Sequence, residues 1–317
     1  MDSGDGLAEG SALAAGPAKV RTIEVLINPL AGHVDPEAAL HAGRILAEAG
    51  LSGNVRTPER EELPKALRAA VDTGPDLLVV VAGDGTARAA ASLCGPTGPL
   101  LAPLAGGTMN MLAHALYGQH HWRLVLTELL VGGVQTPVSG GEVDRQRFYV
   151  AAILGAPALW AEAREAARHR QLALAARKAR DAWRRAFSRR VRYRLDAGAP
   201  QKSLALILTC PLVSRAMADD EGALEAAALD PAGIADVLRL GARAALSGLI
   251  GDWRNDPAVD VARCRAGEAW TRGGQLHAIL DGEPTRLHRH ARIGFARVAF
   301  RALTLAAKAP PIAGPPA

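Results

Sequence analysis

Three glycine-bearing segments hold the residues best suited to chemistry, and each follows an apolar stretch. They are Asn28-Pro29-Leu30-Ala31-Gly32, Gly83-Asp84-Gly85-Thr86 and Gly106-Gly107-Thr108-Met109-Asn110. Glycine lets backbone N–H groups approach phosphate oxygens with no Cβ in the way. A helix N-terminus behind such a turn adds a field that favours an anion. Thr86 and Thr108 can donate hydroxyls to phosphate, and Asp84 can hold a magnesium ion directly or through water. One such turn alone is nothing more than a tight strand-to-helix connection. Three at sheet-like spacing point to a phosphate-bearing ligand. A fourth segment, Asp281-Gly282-Glu283-Pro284, places Glu283 on a turn behind an apolar stretch. Phosphoryl transfer is mostly positioning and charge neutralisation, with one group to accept the hydroxyl proton. A carboxylate on a stiff turn is suited to that role.

The elements that must carry these residues alternate. Strands are expected at 22–28, near Val55, at 76–82 and at 100–104, with helices at 36–49, 63–72, up to Leu93 and up to Leu116. Short apolar runs of this kind mark strands covered on both faces, as in a parallel sheet. The first part of the chain is therefore expected to be a Rossmann-like open α/β domain, with its ligand at the carboxyl ends of the strands. Beyond Asp144 strand candidates dominate, at 148–154, 204–210, 223–229, 259–264, 276–280 and 292–299. The fold class expected is thus α/β with a C-terminal β-sandwich-type domain. The expected divisions are a disordered lead at 1–20, an α/β domain at 21–144, a β-rich domain at 145–308 and a disordered tail at 309–317.

The motifs resemble a known family. Val80 to Thr86 is similar to the Gly-Gly-Asp-Gly-Thr signature of the diacylglycerol kinase catalytic domain. Asn28-Pro29 with Gly32 resembles that family's first-strand motif, and Pro103 to Asn110 resembles its Pro-x-Gly-Thr-x-Asn segment. Asp281-Gly282-Glu283-Pro284 resembles the Asp-Gly-Glu segment of bacterial lipid kinases. The likeness runs from about Arg21 to Leu305. It implies an ATP-dependent kinase that phosphorylates diacylglycerol or a similar lipid in a cleft between the two domains. It implies nucleotide contacts from Asn28, Thr57, Ala82, Gly83, Asp84, Gly85, Thr86, Arg88, Gly107, Thr108 and Asn110. Asp84 and Glu283 become the catalytic carboxylates, Glu283 as general base. ATP and Mg²⁺ are the cofactors implied. A structural magnesium ion falls to Glu221 with the carbonyls of Ala218 and Ala223.

The sequence departs from the family pattern in three places. Ala82 replaces the first glycine of the signature, which Ala tolerates only at negative φ. Met111 stands where many relatives carry Asp. Glu221 stands where relatives have a shorter Asp, and magnesium is demanding of geometry. Two other readings stay open: an NAD kinase, which shares the Gly-Asp-Gly-Thr logic, and a catalytically weak nucleotide- or lipid-binding protein on the same scaffold. Against the NAD kinase, no second glycine-rich substrate loop follows the central strands.

Composition narrows the setting. Lys and Arg exceed Asp and Glu by 37 to 32, which suits an anionic ligand or membrane surface and is too weak to argue for nucleic acid. Between Trp160 and Asp196 there are 12 basic residues against 4 acids, with an apolar stripe through Leu172, Ala176, Ala179, Trp183, Phe187 and Val191. A helix of that kind can lie on anionic headgroups or pack on the sandwich with a solvated arginine face. The expected partners are a lipid substrate and, transiently, an anionic membrane surface; a homodimer is compatible with the sequence. No apolar run reaches the roughly 18 residues needed to cross a bilayer. The three scattered cysteines, Cys94, Cys210 and Cys264, read as buried reduced thiols. A cytoplasmic protein peripheral to the inner membrane face is the resulting expectation. His120-His121 and the pair His288 and His290 lack acidic or thiol partners at ligand spacing, so a metal role is not expected of them.

Overall fold

The computed structural model describes residues 16–155, 190–214, 222–230, 254 and 256–306. After a two-residue strand β1 (Gly16–Pro17) the chain alternates: β2 (Ile23–Ile27), α1 (Ala38–Glu48), β3 (Gly53–Arg56), α2 (Leu63–Asp72), β4 (Leu77–Ala82), α3 (Asp84–Cys94), β5 (Leu100–Ala105), α4 (Met111–Tyr117) and α5 (Trp122–Gly132). β3, β2, β4 and β5 lie side by side in that order, all parallel. The order reverses between β2 and β4, so their carboxyl ends flank a crevice of the kind that holds ligands in open α/β sheets.

The central strand explains why this layer forms. Every residue of β4 is buried. Leu77, Val79 and Val81 pack with α1 and α5, while Leu78, Val80 and Ala82 pack with α2 and α3. Alternate residues of a strand point to opposite faces, so an unbroken apolar run requires a cover on both. Gly16 and Pro17 pair with Gln135 and Val134, so strand pairing is already present within the expected lead at 1–20.

The second part is built from strands: β6 (Gly133–Val143), β7 (Gln146–Phe148), β8 (Ala151–Gly155), β9 (Val191–Leu195), β10 (Gln201–Ser203), β11 (Ala205–Thr209), β12 (Leu224–Leu229), β13 (Val259–Cys264), β14 (Ala266–Trp270), β15 (Leu276–Leu280), β16 (Glu283–Leu287) and β17 (His290–Leu305). One antiparallel sheet runs β13-β12-β11-β8-β15-β16. It packs against β10-β9-β14-β17 over a core that includes Leu154, Leu206, Leu208, Leu224, Tyr193 and Ile293. This is the expected sandwich.

β17 joins the two parts. Its first residues pair with β14, its later residues run parallel to β5 at Ala302 and Leu101, and β6 accompanies it along most of its length. A register shift falls between Ala296 and Phe300, where the strand passes from one layer to the other. The expected strand at 292–299 is therefore longer at both ends, and its last residues belong to the α/β sheet. The single strand expected at 148–154 is instead two. Tyr149 and Val150 leave the ladder because a carboxylate, that of Asp281, takes their amides.

Candidate active site

The glycine turns meet at the carboxyl ends of β2, β4 and β5. Asn28 closes β2: its N–H donates to the Val81 carbonyl at 2.9 Å, and its Oδ1 accepts from the Leu30 N–H at 3.1 Å. The loop that follows lies against the third turn. The His33 N–H donates to the Gly106 carbonyl at 2.8 Å, and His33 Nδ1 sits 2.5 Å from the Gly107 carbonyl oxygen. Gly106 N–H donates to the Ala82 carbonyl at 3.0 Å, tying the second and third turns together. Ala82 is buried and has no positive φ, so the departure from glycine leaves the turn intact.

Gly83 is extended and caps α3, with its carbonyl accepting from Thr86 and Ala87. The earlier amides of the first turn have no acceptor within the helix, which leaves an anion-binding end aimed at the crevice. Thr86 is partly exposed, and Thr108 and Thr57 are exposed. Thr57 follows β3, level with the end of β2.

Two of the expected contact residues are turned inward. Asn110 is only 7% exposed and sits in the left-handed region at φ 51°. Its Oδ1 accepts from Gly107 N–H and its Nδ2 donates to the Gly107 carbonyl, both at 2.7 Å. The side chain shapes the loop from within. Asp84 Oδ1 accepts from the Met111 N–H at 2.5 Å, at the start of α4. Burial pushes the Asp84 carboxyl above its ordinary value, against the pull of the Met111, Asn110 and Leu112 amides. One carboxylate oxygen is thereby committed to protein.

The opposite wall is the β15–β16 hairpin. Glu283 is not on the turn, as expected, but is the first residue of β16, paired with Leu280. The turn itself is Asp281-Gly282, at φ 47° and 85°. Left-handed values at both positions match the strand twist, and Asp-Gly is the pair that adopts them most readily. The exposed Glu283 carboxyl faces α3: a Cβ built on Gly85 would lie 3.8 Å from its Oε1. The same hairpin is touched from α3 by Arg88, whose Nη1 donates to the Leu280 carbonyl at 3.1 Å. Met111 and Met109 sulfurs lie 3.3 and 3.6 Å from where a Cβ on Gly282 would be.

Asp281, to which the sequence motif assigns no role, is the best-held residue of this wall. Only 2% exposed, it accepts from the amides of Tyr149, Val150 and Ala151 at 2.8, 2.8 and 3.0 Å. Burial raises its carboxyl pKa, opposed by those three amides and by Arg88. The Asp-Gly pair was the available signal.

A nucleotide's phosphates would fit this geometry, which offers a set of backbone and hydroxyl donors around one helix end. Magnesium needs few protein carboxylates when phosphates and waters complete its shell. The Asp84 carboxylate, at the head of α3, would suit it. Among the described residues no cluster of three or more His, Cys, Asp or Glu could hold a metal by itself. Of the second metal set, Glu221 and Ala218 lie outside the described residues, and Ala223 has a buried side chain. Of the basic stretch from Trp160 to Asp196, residues 160–189 also lie outside them, and Val191, expected on its apolar helical stripe, falls in strand β9. Among the described residues no helix is long and apolar enough to cross a membrane. All three cysteines are free and buried.

Comparison with known proteins agrees with the motifs. Residues 22–143 match the model of the diacylglycerol kinase catalytic domain, a span that contains all three glycine turns. No curated protein matches the chain in sequence. The fold is that of two solved structures from Bacillus anthracis str. Sterne. One, titled as a diacylglycerol kinase, has a TM-score of 0.64 and 17% identity, over 90% of this chain and 97% of its own. The other, titled "Crystal structure of a putative diacylglycerol kinase", has a TM-score of 0.66 and 16% identity, over 90% and 98%. Both are similar in fold across the α/β layer and the sandwich alike.

Proposed function

We propose that the chain is an ATP-dependent lipid kinase that transfers the γ-phosphoryl group to a hydroxyl of diacylglycerol or a similar lipid. The observation that carries this reading is the approach of the Glu283 carboxyl to Gly85, which puts a carboxylate across the cleft from a phosphate-binding helix end. The glycine turns and Thr86 and Thr108 hold the phosphates. Glu283 accepts the lipid hydroxyl proton as the new oxygen–phosphorus bond forms, and the bond to the β-phosphate bridge breaks with ADP leaving. Asp84 is the residue that would hold Mg²⁺, whose chemistry is neutralisation of phosphate charge.

Glu283→Gln removes the proton acceptor and keeps the size. The expected result is a loss of roughly 10²- to 10⁴-fold in kcat with Tm unchanged, because the side chain is exposed. Mass-spectrometric detection of phosphorylated product from diacylglycerol, magnesium and ATP reads it. Label from ATP entering only NAD would overturn the lipid assignment. Unchanged turnover in Glu283→Gln would remove the base.

A further inference from the structure

Three residues of the hairpin, Leu280, Asp281 and Glu283, form one connected unit with α3. Gly85 and Arg88 are three apart, so they lie on the same face of α3, one turn above the other. Gly85 faces Glu283, and Arg88 donates to the carbonyl of Leu280, the residue paired with Glu283. Asp281 fixes the other side of the turn to the start of β8 through three amides. The Arg88 charge also acts on Asp281.

From this geometry we infer that Arg88 and Asp281 position the Glu283 carboxylate against the phosphate-binding turn, so that base and nucleotide loop move as one unit across the domain join. Arg88 is then a positioning residue. The family resemblance, in contrast, implies that it belongs to the nucleotide contact segment. The proposal rests on Glu283 being the base. Its strength is that misplacing a reacting group by about 1 Å can cost on the order of 10²-fold in rate. A turn of two left-handed residues at the end of a hairpin has no other fixed point on the α3 side among the described contacts.

The test is a double-mutant cycle in the full chain, with Arg88→Met, Asp281→Asn and Glu283→Gln. Arg88→Met keeps the alkyl stem and removes every donor. It is expected to lower kcat by about 10- to 100-fold. Affinity for a non-hydrolysable ATP analogue with magnesium, measured by calorimetry, should stay within about threefold, since no phosphate contact is lost. Hydrogen exchange at the Tyr149 to Ala151 amides should quicken in Asp281→Asn. Arg88→Lys, which restores one donor, should recover part of the rate, and it carries the cycle if Arg88→Met does not fold.

In a Glu283→Gln background neither change should lower kcat further, because both act through that carboxylate. Additive losses, or a tenfold or greater weakening of analogue binding in Arg88→Met, would overturn the positioning role while leaving the base in place. Wild-type rates in Glu283→Gln would overturn the base reading and the positioning role together.

Discussion

The two walls of the cleft are held by opposite means. On the α/β side the turns are pressed together backbone to backbone. A Cβ on Gly107 would stand 2.5 Å from the Gly83 Cα, and one on Gly106 would stand 2.9 Å from the Ala82 nitrogen. On the sandwich side a single buried carboxylate, Asp281, gathers three amides and sets the hairpin. The first wall is defined by what is missing, the second by a charge. The glycines of the motif are therefore of two kinds. Gly106 and Gly107 are required by packing before any phosphate arrives, whereas Gly85 opens on the cleft with only Glu283 near it.

That distinction predicts opposite signs for the same substitution. Gly107→Ala drives a Cβ into backbone, which has no flexible end to yield. Overpacking of this kind costs about 3 kcal/mol. Urea denaturation should show it, together with weakened binding of an ATP analogue. Gly85→Ala meets only an ordinary van der Waals contact and lies within α3. It should raise stability by about 0.5–1 kcal/mol, the helix gain of Ala over Gly. Any rate it loses would come from crowding Glu283. Equal destabilisation by both would erase the difference between the two kinds of glycine.

These two kinds were not separable in sequence. Position in a motif gives the residue type, and only the approach of a distant turn shows which Cβ is forbidden. The parallel layer was legible because its strands are buried on both faces and read as apolar runs. α2 was placed to the residue, and the sandwich strands 259–264 and 276–280 were as well. α5 was missed although Trp122, Val125, Leu126 and Leu129 recur at helical spacing. β6 was missed for a better reason. It contains Pro137, Gly140 and Gly141, residues that argue against a strand. Gly141 is there because a Cβ would fall 2.0 Å from the Phe148 ring. The long reach of β17 was hidden as well, since pairing with two layers leaves no local mark on a strand. At the site, the glycine turns and Glu283 were legible as motifs. The inward jobs of Asn110 and Asp281 were not, because a side chain's partner lies far away or behind a turn.

Asn110 is the exception within the first wall, a side chain that closes a turn otherwise held by backbone contact. Replacing it by Ala strands both polar groups of Gly107 and puts an alanine at φ 51°. The expected cost is about 2 kcal/mol. Asn110→Gly keeps the freedom to adopt that φ and loses only the hydrogen bonds, so it should cost measurably less. Chemical denaturation of the pair separates conformational strain from hydrogen bonding. Equal losses would mean that the left-handed backbone at Asn110 carries no weight.

Asp84 is the first wall's counterpart to Asp281: a half-buried carboxylate that accepts an amide from the start of the next element. Its pKa is raised above 3.8, with desolvation the largest cause. A carboxyl raised in the folded state favours folding below its unfolded pKa, and that contribution is lost as pH rises through the folded value. At neutral pH the ionised group therefore weighs against the fold. Asp84→Asn removes the charge and keeps an oxygen for the Met111 amide. It should raise Tm at pH 7 by on the order of 1–2 °C, with the gap closing as pH falls towards 4. Kinase activity should fall in the same variant, because the phosphate turn loses its acid. Thermal melts across pH 4–8 check the sign. A gap that widens towards acid would mean that the amides of α4, not burial, dominate Asp84. The two acids would then be unlike, Asp84 stabilised as an anion by backbone donors and Asp281 raised by burial in spite of them.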